Sequence, residues 1–139
     1  MAVSAAVLSG LGTAHAAEAH VTVSNGAEAP IMAVMTESPS ATVLSPWPRT
    51  LAAGEDLEAA FSFPRMAAAL SMVQYALPPD EHGDSRTCLF RWRTDPREQV
   101  RCTVVLTAQR IGVGEASCSA RLLEQDTKTC AFRAVFEVR

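Results

Sequence analysis

Four arginines lie within one short stretch that begins at Cys88 and ends at Cys102. Guanidinium groups bind carboxylate and phosphate groups through paired hydrogen bonds. A chain that folds back at Asp95 would place the arginines on one face of a hairpin, with Cys88 opposite Cys102. We therefore predict a site for an anionic partner, and its residues are Arg91, Arg93, Arg97 and Arg101.

This register also sets Arg93 opposite Arg97, and like charges in that position destabilise a sheet. A bound anion would relieve the repulsion. The alternative is a solvated face whose arginines spread apart or pair with acidic neighbours such as Asp95 and Glu98. A one-residue slip in register would send alternate residues to the other face.

Two tryptophans are the candidates for contact with a sugar or a lipid. Trp47 lies in a proline-rich loop, between Pro46 and Pro48, and Trp92 lies in the arginine stretch. A tryptophan in a loop usually folds back over the core, which is the first expectation for Trp47. An exposed ring would instead indicate a ligand or membrane contact.

The acidic loop from Pro78 to Thr87 is a weak candidate for a metal site, through Asp80 and Asp84. Hard cations require several converging oxygens, but the loop lacks the ligand spacing and distal carboxylate of a calcium loop. A solvated acidic loop is the first expectation, and we predict neither a metal nor a cofactor.

The four cysteines favour disulfides, because no Cys-x-x-Cys or Cys/His spacing typical of zinc is present. Four cysteines allow three pairings. Each sequential pair brackets a plausible hairpin, which favours Cys88 with Cys102 and Cys118 with Cys130.

Sequence signatures of catalysis are missing: there is no Gly-x-Ser-x-Gly motif, no phosphate-binding glycine loop and only three histidines. We expect no enzymatic activity, and a hydrolase is the minor alternative. The net charge of −3 argues against nonspecific nucleic-acid binding.

Residues 1–16 resemble an export signal, because a short apolar run ends in Ala14-His15-Ala16, a small-x-small cleavage site. The usual basic leader is missing, so an alanine-rich N-terminus is the alternative. We expect a secreted or periplasmic protein without a transmembrane segment, in which residues 17–139 form one domain.

The remaining sequence alternates between short apolar strands and turn signals, without helical periodicity. Strands are expected near residues 20–24, 31–36, 57–63, 71–77, 88–94, 98–109, 118–123 and 129–138. Residues 37–49 are predicted to be a loop, and residues 65–70 an irregular or helical turn. The pattern predicts an all-β antiparallel sandwich, immunoglobulin-like or jelly-roll-like, with about eight strands and disulfides.

Three features occur in the order found in aegerolysin-type lipid-binding sandwiches. They are the strand Val21-x-Val23-x-Asn25, a proline-rich loop before Leu51-x-x-Gly54-Glu55, and an aromatic hairpin. Over about half of its length the chain therefore resembles that family, which implies lipid binding as one alternative and assigns no site residues.

The sequence as a whole predicts an exported, non-catalytic binding protein. The first expectation is a protein partner, bound through the arginine hairpin in the manner of an inhibitor, immunity or accessory protein. The alternative is a carbohydrate- or lipid-binding module that uses Trp47 or Trp92.

Overall fold

The computed structural model describes residues 16–139, which form ten β-strands and no helix. The prediction of an all-β protein is confirmed. The predicted signal peptide lies outside the described residues, apart from Ala16, which begins the first strand. The strands are β1 (Ala16–Asn25), β2 (Ile31–Glu37), β3 (Thr42–Ser45), β4 (Thr50–Leu51), β5 (Asp56–Pro64), β6 (Leu70–Leu77), β7 (Arg86–Arg97), β8 (Arg101–Ile111), β9 (Cys118–Gln125) and β10 (Phe132–Val138).

Two five-stranded sheets pack face to face as a sandwich. The first sheet has the order β3-β5-β1-β10-β9, and the second has the order β4-β2-β6-β7-β8. Neighbouring strands are antiparallel except for β1 and β10, which run parallel at the centre of the first sheet. The alternating sequences of these strands explain the packing, because every second side chain points into the space between the sheets.

The core is aromatic and takes up the whole aromatic content of the chain. Phe90 stacks on Phe136 with ring centroids 4.8 Å apart, and Trp92 contacts Phe61 at 5.3 Å. Each of the eight aromatic side chains is buried, with at most 4% exposure. The set is Trp47, Phe61, Phe63, Tyr75, Phe90, Trp92, Phe132 and Phe136.

Two disulfides join the sheets along one lateral edge, which we call the disulfide edge. They pair Cys88 with Cys118 and Cys102 with Cys130, so the predicted sequential pairing is wrong. The reason is topological: Cys88 on β7 and Cys102 on β8 belong to the second sheet, whereas Cys118 on β9 and Cys130, just before β10, belong to the first. Each bond therefore connects one sheet to the other, and neither closes a hairpin.

The hairpin of β7 and β8 turns at Gln99, four residues later than the predicted turn at Asp95. Its strands pair Arg97 with Arg101 and Cys88 with Arg110, so the predicted pairing of Cys88 with Cys102 is wrong. Asp95 and Pro96 continue the strand. Pro96 has no N–H to donate, but the N–H of Cys102, its neighbour on β8, donates to the Thr127 carbonyl of the other sheet at 2.7 Å.

The proline-rich segment predicted as a loop contains β3, and β4 follows it. Strand β3 pairs with β5, and β4 pairs with only Ile31 and Met32 of β2. These short strands form the second lateral edge, which we call the open edge because no disulfide crosses it. The irregular turn at residues 65–69 is confirmed, and β6 follows it directly.

Candidate binding surface at the hairpin end

One end of the sandwich gathers the β7–β8 turn and the loops beside it, and we call it the hairpin end. It comprises residues 38–41, 64–69, 93–103 and 126–131. Backbone hydrogen bonds hold these segments together: Met66 N–H donates to Thr129, and Thr94 N–H donates to Ala69. The Cys102–Cys130 disulfide anchors the turn to the loop of the other sheet. The loops of the hairpin end are thus held together by hydrogen bonds and a disulfide.

The tip of the hairpin presents an apolar side chain between two cations. Glu98 and Gln99 both have a positive φ, and Val100 N–H donates to the Arg97 carbonyl at 3.1 Å. Val100 is consequently 76% exposed, directly before Arg101 and three residues after Arg97, and the exposed Glu98 lies in the same turn. Glu-Gln is not a sequence signal for such a turn, which is why sequence reasoning missed Val100.

The four predicted arginines share the outer face of the second sheet, but their neighbours differ from those predicted. Arg93 lies opposite Val105 and Arg91 lies opposite Thr107. Only Arg97 and Arg101 face each other, at the tip. Three of the arginines therefore form a row along β7 and the fourth lies on β8, and the predicted facing pair of Arg93 with Arg97 is wrong.

These arginines are mostly free of ion pairs. Arg97 approaches Asp95 at 3.2 Å, and Arg91 makes one long hydrogen bond, 3.5 Å, to the Thr107 hydroxyl. Among residues 16–139, no carboxylate forms an ion pair with Arg93 or Arg101. Their charges are thus left for solvent or for a ligand.

Charge is segregated between the two ends of the sandwich. At the hairpin end five basic side chains outnumber three acidic ones, and the basic set is Arg65, Arg93, Arg97, Arg101 and Lys128. The opposite end comprises residues 26–30, 52–56, 78–86, 112–117 and 139. It carries two arginines and seven acidic residues, namely Glu28, Glu55, Asp56, Asp80, Glu81, Asp84 and Glu115. An anionic surface would orient the molecule with its hairpin end inward.

The acidic residue Asp126 shapes the loop that carries Lys128. Its carboxylate accepts the Lys128 N–H at 2.8 Å, and this hydrogen bond keeps the pKa of Asp126 below its ordinary value. The neighbouring charge of Arg65 lowers that pKa further. The carboxylate is therefore part of the loop's own structure.

Both aromatic candidates belong to the core. Trp92 is fully buried, and its indole N–H has no hydrogen-bond partner. Trp47 is 4% exposed, and its N–H donates to the Ser71 hydroxyl at 2.8 Å. None of the Phe, Trp and Tyr rings, all of which lie within residues 16–139, is exposed, so neither tryptophan offers a ring on which a sugar could stack.

The predicted metal candidates Asp80 and Asp84 do not converge on a site. The Asp80 carboxylate accepts the N–H groups of His82 and Asp84, both at 2.9 Å, and so closes its own loop. Within residues 16–139, no three His, Cys, Asp or Glu side chains are placed to hold a metal ion.

Sequence reasoning missed a charged cluster on the outer face of the first sheet. The two ring nitrogens of His20 lie 2.9 Å from Glu58 and 2.8 Å from Glu18. Arg133 is the register partner of His20 on β10 and pairs with Glu124 at 3.1 Å. The hydrogen bond to Glu58, with that to Glu18, raises the pKa of His20 above 6.5. The Glu-x-His alternation on one strand is the sequence signal for half of this cluster.

The raised pKa of His20 predicts a pH-dependent stability. The imidazolium stabilises the fold fully below pH 6.5, and this contribution disappears as the pH rises through the folded-state value. Because His20, Glu18 and Glu58 are all partly exposed, we expect this contribution to the free energy of unfolding to be at most about 1 kcal/mol. Urea unfolding at a series of pH values should show this loss in the wild type and not in His20→Gln. Parallel pH curves for the two proteins would contradict the prediction.

Comparison with known proteins gives a fold without a family. No family model matches the chain, and no curated protein sequence matches it. The crystal structure of the lipid binding protein Nakanori is similar, with a TM-score of 0.58 over 88% of this chain and 69% of that chain. The chain shares that fold. At 11% identity, the likeness to Nakanori carries no site residue across.

Two further findings concern the environment of the protein. In the described part of the chain, no helix is long and apolar enough to cross a bilayer. Both disulfides are formed, and all four cysteines take part. Disulfides persist in oxidising compartments, so an oxidising environment is indicated.

Proposed function

We propose that this protein is an exported binding module that docks its hairpin end on an anionic phospholipid surface. The observation that carries the proposal is the hairpin tip, where exposed Val100 stands between Arg97 and Arg101. Apolar and cationic groups together suit a membrane interface, because one enters the boundary layer and the other binds phosphate.

The charge distribution supports one orientation. The row of Arg93, Arg97 and Arg101 continues onto the hairpin end, while seven acidic residues lie at the far end. Each cation near an anionic membrane contributes about 1 kcal/mol. An upright molecule brings its cations to the surface and keeps its carboxylates away from it. The name of Nakanori as a lipid binding protein is compatible with this role.

The export part of the proposal rests on the signal-like residues 1–16 and on the two disulfides. Secretion or transfer to the periplasm would supply the oxidant for the disulfides and access to a membrane surface. Edman sequencing of the protein purified from its native host should begin at Ala17.

Vesicle sedimentation tests the membrane role. The protein should bind phosphatidylcholine vesicles that contain phosphatidylserine, and high salt should release it. In Arg97→Ser/Arg101→Ser, loss of two cations should weaken binding by about 2 kcal/mol, or about 30-fold. Val100→Asp should weaken it as well, because a carboxylate replaces the apolar tip.

The matched control is Arg110→Ser/Arg121→Ser, which removes the same charge from exposed positions outside the hairpin end. Its binding should stay close to that of the wild type. If both double variants bound vesicles equally weakly, net charge alone would explain the weakening, and this result would contradict a docking surface at the hairpin end. Salt-sensitive capture of an envelope protein without any vesicle binding would favour the protein partner predicted from the sequence.

A further inference from the structure

The open edge of the sandwich contains a groove that the proposed membrane contact does not use. It has a volume of about 420 Å³ and runs between β2 and β3. Val34 and Met35 form one wall, Val43 and Pro46 the other, and the ring of Trp47 lies in the floor. Thr36 and Ser38 add hydroxyl groups to the lining. A cleft of this size is typical of a small-ligand site.

The open edge is also the most apolar part of the surface. Of the eight large hydrophobic side chains that residues 16–139 expose, four lie on β2 and β3, the strands that flank the groove: Met32, Val34, Val43 and Leu44. Val34 is 55% and Val43 45% exposed, across the groove from each other. Such a cluster of exposed apolar side chains on a small protein marks a binding site.

Arg49 supplies charge at this groove. Its position is set by the loop before β4: Tyr75 hydroxyl donates to the Pro48 carbonyl at 2.7 Å, and Ala33 N–H donates to the Arg49 carbonyl at 2.8 Å. Arg49 takes part in no ion pair with any residue from 16 to 139. The groove therefore combines apolar side chains on both strands with an available cation.

The flanking strands distinguish between a peptide and a hydrocarbon chain. Both have an outer edge without a strand partner beside the groove, since β4 covers only the first two residues of β2. However, the pairing of β2 shifts at Val34, and that of β3 shifts at Leu44. Bulges interrupt the regular row of N–H and C=O groups that an added strand requires. A hydrocarbon chain forms no hydrogen bonds with the strands, so these bulges do not hinder its binding.

We infer that this groove binds the hydrocarbon chain of a single-chain phospholipid, with its phosphate on Arg49. Val34, Val43 and Pro46 offer the chain apolar contacts, and the guanidinium binds the phosphate through paired hydrogen bonds. The choice of phosphate over carboxylate rests on the proposed phospholipid-binding function. The groove adjoins the hairpin end at Ser38, but Arg97, Val100 and Arg101 lie outside its lining, so separate variants test the two sites.

Monomeric n-alkyl phosphates, kept below their micelle concentration and without vesicles, are the probe. Calorimetry on the full chain should give an affinity that rises about two- to fourfold for each added methylene from octyl to dodecyl. In a ¹⁵N–¹H spectrum the amides of Val34 and Val43 and the Trp47 indole should shift. Shifts confined to the hairpin end, or no dependence on chain length, would overturn the inference.

Two pairs of variants separate chain and phosphate. Val43→Asp should weaken dodecyl phosphate binding at least tenfold, whereas Leu123→Asp, at an edge position of similar exposure on β9, should not change it. Arg49→Gln should weaken dodecyl phosphate about tenfold but leave a neutral alkyl glycoside of equal chain length unaffected, and Arg121→Gln should change neither. Tighter binding of dodecanoate than of dodecyl phosphate would overturn the phosphate assignment.

Failure of this site and failure of the membrane function give different results. Arg97→Ser/Arg101→Ser should lose vesicle binding and keep alkyl phosphate binding in the groove. Val43→Asp should do the reverse. If both variants lost both activities together, a single shared site would replace the two described above.

Discussion

Removing the Cys102–Cys130 disulfide by alanine substitution is expected to lower the free energy of unfolding by about 3–4 kcal/mol. The two cysteines are 28 residues apart in sequence, so the bond closes a long loop in the unfolded chain. Urea unfolding of Cys102→Ala/Cys130→Ala against the wild type measures the loss. Peptide mapping without reduction should first recover the Cys88–Cys118 and Cys102–Cys130 links, and a Cys88–Cys102 link would contradict the fold.

The other disulfide provides the matched control. Cys88→Ala/Cys118→Ala removes a bond across 30 residues, so its global loss of stability should be similar. Only the Cys102/Cys130 variant should also loosen the hairpin tip, because Cys102 anchors that tip to the 126–131 loop. Trypsin should then cleave at Arg97 and Arg101 faster in this variant alone. Equal cleavage of both variants would contradict the bracing role.

Asn25→Ala is expected to lower the free energy of unfolding by about 3 kcal/mol, because the buried Asn25 amide holds together the loops at the end opposite the hairpin end. Its Nδ2 donates to the carbonyls of Ala29, Leu51 and Ala52 at 2.9–3.1 Å, and its Oδ1 accepts the Ala27 N–H at 3.0 Å. Alanine would leave these groups without their partner in a site that is 1% exposed. Thermal or urea unfolding measures the loss.

Two variants test this explanation of Asn25. Asn25→Asp keeps the acceptor but cannot donate, and it points a charge at three carbonyls, so we expect a loss larger than that of alanine. Ser24→Ala, at the neighbouring half-exposed position, should change the stability by less than about 0.5 kcal/mol. An Asp variant more stable than the Ala variant would show that the donor bonds contribute little.

The alternation of apolar residues was sufficient to predict most of the strands. His20 to Ser24 and Phe132 to Val138 alternate so regularly that only a strand buries one face of each. Strand β3 was not predicted, because its four residues lie among prolines and serines. Its pairing with β5 also depends on contacts between residues distant in sequence. Local propensity carries no information about such a partner.

The candidate site was predicted in part. The four arginines share a face because they are an even number of residues apart, and any register that pairs odd-numbered with odd-numbered residues keeps them there. Their neighbours depended on the position of the turn, and the Asp-Pro signal misplaced it. Residues 98–100 form the turn, although their residue types are not typical of one. Glu98 and Gln99 adopt the left-handed conformation there, and the surrounding structure holds them in it.

The sequence by itself determined an all-β chain, the use of its cysteines in disulfides, and a shared face for the four arginines. Periodicity and composition carry these properties because they depend on neighbours along the chain. Only the tertiary structure decided which cysteines pair, which loops meet at the hairpin end, and where the open edge leaves a groove. Those features arise where strands from different sheets come together, and the free energy of that packing depends on contacts between residues far apart in sequence.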